Sequence, residues 1–109
     1  MTSIPNKTFL NFIVLGGTTE QKIAATAAAG FDQAEIWRED VEAYEPGAQA
    51  LSAHLKESGL ALADIMVLRD FAGAPGHLRD EKRAQAIQMM DIAVSIGADC
   101  VQSPAITLL

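Results

Sequence analysis

Cysteine is nearly missing from this chain. Cys100 is the single one in 109 residues, so an intrachain disulfide and a multi-cysteine metal site are both excluded. No histidine stands at a spacing to Cys100 that suggests an activated thiol, and a lone cysteine on an expected strand reads as a small core residue. Positive charge is scarce too. Eight Lys and Arg stand against fourteen Asp and Glu, a formal net charge of −6. A nucleic-acid partner calls for clustered cations to neutralise phosphates, so that class is disfavoured. Long hydrophobic runs are lacking. The longest early one, Phe9 to Leu15, is broken by Asn11 and falls far short of the roughly 20 apolar residues that span a bilayer. Met1 to Lys7 has neither the basic start nor the apolar stretch of a signal peptide. No membrane partner is expected, and the cytoplasm is the expected compartment. The glycine loop G-x-G-x-x-G is absent, as is a phosphate-loop lysine motif, and Gly16-Gly17 is only a weak echo of the former.

Half of the residues are hydrophobic and only 6% are aromatic, with alanine abundant. That composition suits helices packed closely on a sheet. Thr8 to Leu15 reads as a first strand. Thr18 with Gln21 three residues on has capping-box spacing, and predicts a helix from about Glu20 to Ala29 that stops at Gly30. Ala34 to Trp37 is a second short strand, followed by a polar, acidic stretch from Arg38 to Glu45. Pro46 sits near a helix start. The second helix spans about Gly47 to Ser58, with Leu51 and Leu55 on its buried side, and Gly59 ends it. Leu60 to Leu68 is nearly continuous in apolar residues, as a strand covered on both faces is. Arg69 to Arg79 is a glycine-bearing loop with Pro75. Asp80 is placed to cap a third helix, Glu81 to Ile96, whose expected buried stripe is Ala86, Met90 and Ala93, widened by Ile87 and Val94. Gly97 ends it. The fourth strand is Asp99 to Ser103, then Pro104 and an apolar tail, Ala105 to Leu109.

Strand and helix therefore alternate, which implies right-handed crossovers and one parallel sheet. The fold class is α/β: four strands and three helices of a parallel (β/α) half-barrel, the N-terminal half of a TIM barrel. A complete barrel needs about 200 to 250 residues, so residues 1–109 read as one partial barrel domain. A Rossmann domain is the competing architecture.

In such barrels the C-terminal ends of the strands carry function. Glu35 is an acid inside an apolar strand, and a buried charge is costly unless paired. Either it points into the barrel mouth, or it sits at a sheet edge, solvated or paired with Arg38. Arg69 directly follows the third strand, where a guanidinium suits a carboxylate or phosphate. Asp70 is placed to orient Arg69 or to cap the turn; a plain surface ion pair between the two is the alternative. His77 lies in a loop able to act as a lid, within reach of a ligand or merely solvated. Gln102 and Ser103 end the fourth strand as neutral hydrogen-bonding groups. Trp37 is either a substrate wall or core. His54, mid-helix, reads as structural, and Met89-Met90 as a packing pair. No residue is assigned a catalytic role.

Three segments carry a resemblance. Ala27-Ala28-Ala29-Gly30-Phe31-Asp32, Ala34-Glu35-Ile36-Trp37, and Arg69-Asp70-Phe71 with Gly73 resemble the sugar phosphate isomerase/epimerase family of xylose-isomerase-like barrels, closest to its 3-dehydroshikimate dehydratase-like branch. The resemblance covers essentially the whole chain but only the first half of a family member. It implies a TIM barrel with a divalent metal (Mn, Mg, Co or Zn) ligated from later strands, so no metal ligand transfers and metal is not expected on this fragment. It also implies proton abstraction next to a carbonyl in a small polyhydroxy or anionic substrate, with Glu35 at the mouth and Arg69 on the substrate anion. Two features depart from the branch. Ala72 stands where an acidic residue is usual, and the fourth strand reads Cys100-Val101-Gln102-Ser103-Pro104. The fragment is expected to be inactive alone. The alternative is a non-catalytic half-barrel that self-associates through open sheet edges, and a homo-oligomer is expected.

Overall fold

The computed structural model describes residues 6–104. Four parallel strands, β1 (Phe9–Asn11), β2 (Gln33–Trp37), β3 (Ala61–Met66) and β4 (Val101–Gln102), lie side by side in sequence order. Helices α1 (Thr19–Ala28), α2 (Arg38–Glu42), α3 (Ala48–Glu57) and α4 (Arg79–Ile96) connect them. This is a parallel half-barrel sheet of the α/β class. Among the described residues no helix is long and apolar enough to cross a membrane. The tail from Ala105 to Leu109 lies outside the described residues.

β1 is shorter than its apolar run suggests, because Asn11 ends it. The Asn11 Oδ1 accepts from the Ile13 N–H at 2.9 Å, and a side chain bonding two residues ahead competes with a strand ladder. A 3-10 turn over Phe12–Val14 follows, with Phe12 fully buried and Ile13 and Val14 exposed. The expected capping box then opens α1. Gln21 N–H donates to Thr18 Oγ1 at 3.2 Å, and Thr18 N–H donates to Gln21 Oε1 at 2.8 Å. Gly17 precedes it at φ +95, and a Cβ there would run into the Gln21 side-chain oxygen.

The core lies between the sheet and the helices. Ala34 and Ile36 of β2 and Ile65 of β3 pack there with Ile23, Leu51, Leu55, Ala86, Met89, Ala93 and Ile96. Leu51 and Leu55 are buried as their spacing predicts. In α4 the buried stripe is rotated from the expected one. Ala86, Met89, Ala93 and Ile96 face inward, while Ile87, Met90 and Val94 are 60%, 54% and 77% exposed. The helix carries two adjoining apolar stripes, and docking on α3 and the sheet selects one of them. Asp80 does not cap α4. The cap position falls to Leu78, without a side-chain bond, and Asp80 lies within the first turn. Three helices were expected, and the first residues of the polar stretch from Arg38 add a fourth, α2. Cys100 is exposed, not core: its carbonyl accepts from the Ile65 N–H at 3.1 Å, but its side chain points away from the face on which its neighbour Val101 packs against the core.

Candidate functional site

Side chains alternate across a strand. With Ala34, Ile36 and Ile65 turned to the helices, Glu35, Trp37, Asp64 and Met66 face the opposite side of the sheet. Gln102, paired in register with Met66, joins them by the same alternation, and its side chain is exposed. The pairing of β2 with β3 shifts by one residue between Ala34 and Glu35. This irregularity sets Glu35 directly beside Asp64, while Asn11 of β1 pairs with Glu35 on the other side.

Glu35 is 7% exposed. Asp64 beside it is half-buried, and two carboxyl groups set side by side on adjacent strands cannot both ionise cheaply. Asp64 yields. Burial, reinforced by a hydrogen bond with Glu35 and by its charge, pushes Asp64 up to about 7. Its Oδ1 is buried without a hydrogen-bond partner. Asp64 thus keeps its proton up to neutrality, beside the Glu35 carboxyl. The carboxyl partner of Glu35 is Asp64, whereas Arg38 places its Nε 3.2 Å from Glu42 in an i,i+4 pair on α2.

A cleft of about 250 Å3 opens where β1 and β2 end, lined by Phe12, Ile13, Lys22, Trp37, Glu39, Asp40 and Arg69. Trp37 is anchored by its Nε1–H donating to Asn11 Oδ1 at 2.6 Å, and Asn11 Nδ2 reaches Met66 Sδ at 3.0 Å. The Arg69 guanidinium lies 5.4 Å from the centre of a Trp37 ring, in reach of a cation–π contact. Its Nη1 donates to Glu39 Oε1 at 3.3 Å. Burial opposes the Glu39 charge, yet a backbone N–H bond and Arg69 outweigh it and hold the group below the usual carboxylate range. Beneath them Asp40, 5% exposed, accepts from the Lys22 ammonium at 2.7 Å and from Trp37 N–H at 3.0 Å. Thr19 donates to its carbonyl at 2.8 Å. These contacts fix where β2 turns into α2, and so where Trp37 and Glu39, the two groups that meet Arg69, sit.

The candidates from sequence are distributed unevenly. Glu35 lies on the face opposite the helices and Arg69 in the cleft. Asp70 follows Arg69 with left-handed backbone, φ +55. His77 is exposed in the turn before α4 and does not line the cleft. His54 bonds Tyr44 at 3.2 Å within the helix layer. Asp64, Glu39 and the Lys22–Asp40 pair were not singled out by sequence. Asp64 had a signal, since it is an acid inside the apolar run Leu60 to Leu68, as Glu35 is inside its own. The other three depend on α2, which the pattern did not show.

Fold and register together define the class: a parallel (β/α) half-barrel sheet of the TIM-barrel kind. A solved xylose isomerase-like TIM barrel/4-hydroxyphenylpyruvate dioxygenase fusion protein superposes with a TM-score of 0.81 over 90% of this chain, at 27% identity. A solved protein of Sinorhizobium meliloti shares the fold, with a TM-score of 0.73 at 18% identity. By sequence, the chain is similar to the 3-dehydroshikimate dehydratases of Pseudomonas putida and Pseudomonas aeruginosa, each 29% identical over 89 residues. Those residues are 82% of this chain and 14% of either dehydratase. The chain likewise spans only 16% and 36% of the two solved proteins. No family model matches it.

Proposed function

We propose that this chain is one part of a metal-dependent isomerase, epimerase or lyase of the sugar phosphate isomerase/epimerase type, with dehydration of 3-dehydroshikimate as the favoured reaction. The observation that carries this reading is the match to two dehydratases over most of the chain. The chemistry is removal of a proton from carbon next to a carbonyl, in a small polyhydroxy or anionic carbonyl substrate. The geometry supports it in two places. Asp64, raised to about 7 beside Glu35, gains and loses its proton near neutral pH, as a general acid–base group must. Arg69, set over Trp37 and held by Glu39, offers a planar guanidinium to the anionic end of a substrate. Mn, Mg, Co or Zn is the cofactor expected for this type. Among the described residues no three His, Cys, Asp or Glu side chains converge on one point, and no step is assigned to a metal. The cytoplasm is the setting we assign, in keeping with the free thiol of Cys100.

The test is a chimera. This chain replaces the matching 89-residue segment of the P. putida dehydratase, and dehydration of 3-dehydroshikimate is followed with each divalent metal. The expected result is turnover by the folded chimera and none by the 109-residue chain alone. A chimera that is folded by circular dichroism yet inert on 3-dehydroshikimate refutes the favoured reaction. Chelator-sensitive turnover by the chain alone refutes the partial-enzyme reading.

A further inference from the structure

Three of the eight Lys and Arg of this acidic chain line one hollow. It measures about 310 Å3 and lies between the loop after β3 and the start of α4, bounded by Phe71, Gly73, Ala74, Arg79, Lys82 and Arg83. No acidic residue lines it. Arg79 stands three and four residues before Lys82 and Arg83, so the three cations share one helical face. Among the described residues no carboxylate lies within ion-pair distance of Arg79 or Arg83. Lys82 donates to the Arg69 carbonyl at 3.3 Å and to Gln85 Oε1 at 3.4 Å, which ties its ammonium to the loop. Across from the cations, Gly73 at φ +77 leaves the loop without a side chain there. Three like charges gathered this way repel one another, and an anion among them would relieve that repulsion.

The hollow is separate from the cleft. The two share no lining residue, and the Arg69 guanidinium is engaged on the other side with Trp37 and Glu39. Its volume is at the low end of small-molecule pockets, about 300–1,000 Å3, so it suits a metabolite-sized group. Phe71 adds an apolar wall.

We propose that this hollow binds a compact oxyanion, a phosphoryl or carboxylate group of a small molecule, between Arg79, Lys82 and Arg83. The proposal stands whether or not the dehydratase reading holds. The test is an amide NMR titration of the 15N-labelled chain with sodium phosphate and, separately, sodium malonate, each against sodium chloride at matched ionic strength. Saturable shifts confined to residues 71–83 are expected. Phosphate alone, malonate alone or both identify a phosphoryl-selective, carboxylate-selective or general oxyanion site. Arg79→Gln and Arg83→Gln change exposed residues and leave the fold intact. Each should weaken binding about threefold, and the pair about tenfold. Lys56→Gln on α3 should leave it unchanged. Shifts that do not saturate, that chloride reproduces, or that Lys56→Gln weakens as much as Arg83→Gln overturn the proposal.

Discussion

Neutralising Asp64 should make the protein more stable in alkali and leave it little changed in acid. Its carboxyl is raised from an ordinary 3.8 to about 7 by burial beside Glu35. A raised acid binds its proton more tightly folded than unfolded, so the folded chain takes up a proton between about pH 4 and pH 7. The stability that this proton carries is fully present at acid pH and is lost as pH climbs through 7. Three pH units at about 1.4 kcal/mol each set a ceiling of about 4 kcal/mol. Asp64 keeps substantial solvent contact, and screening reduces the expected figure to about 1–2 kcal/mol. In Asp64→Asn the amide stays neutral at every pH and can donate to Glu35. Urea unfolding at intervals from pH 4.5 to pH 8.5 should show the variant and parent together at the acid end and separating through neutrality, with the variant higher by about 1–2 kcal/mol at pH 8.5. A difference that does not change with pH, or a variant less stable than its parent at pH 8.5, refutes a raised Asp64 carboxyl.

Four further outcomes follow from other contacts. Lys22→Met strands the Asp40 carboxylate, which is 5% exposed, and should cost about 2–3 kcal/mol in urea unfolding; a loss under 1 kcal/mol would mean that Asp40 is solvated when unpaired. Gly17→Ala meets both a left-handed backbone and the Gln21 oxygen, so a loss of about 1–2 kcal/mol is expected, whereas Gly16→Ala, with open space around it, should cost little. In the active chimera, Arg69→Lys keeps the charge but loses the planar fork and should raise KM for an anionic substrate more than for a neutral analogue; equal effects on both would make Arg69 structural. The edges β1 and β4 leave backbone groups open to pairing with a second copy, so sedimentation at rising micromolar concentration should show a dimer or larger assembly, and a persistent monomer would end that expectation.

Local chemistry determined much of this protein from the sequence alone. Thr18 and Gln21 announce the start of α1 because both halves of a capping box lie within four residues. Leu51 and Leu55 reveal the buried face of α3 because one turn of helix fixes their spacing. The helix–glycine–strand alternation dictates parallel crossovers, whereas the order β1-β2-β3-β4 is read from the assembled sheet. What remained hidden depends on partners distant in sequence. Which of two apolar stripes of α4 goes inward is decided by α3 and the sheet, so Met89 is buried and Met90 is not. α2 forms where Asp40 meets Lys22 and Trp37, contacts that link two elements. The placement of Glu35 against Asp64 rests on a one-residue shift in strand register 29 positions apart in the chain. Strand alternation reveals that an acid stands among apolar neighbours. Only the assembled sheet decides which acid faces it, and therefore that Asp64 keeps its proton up to about pH 7.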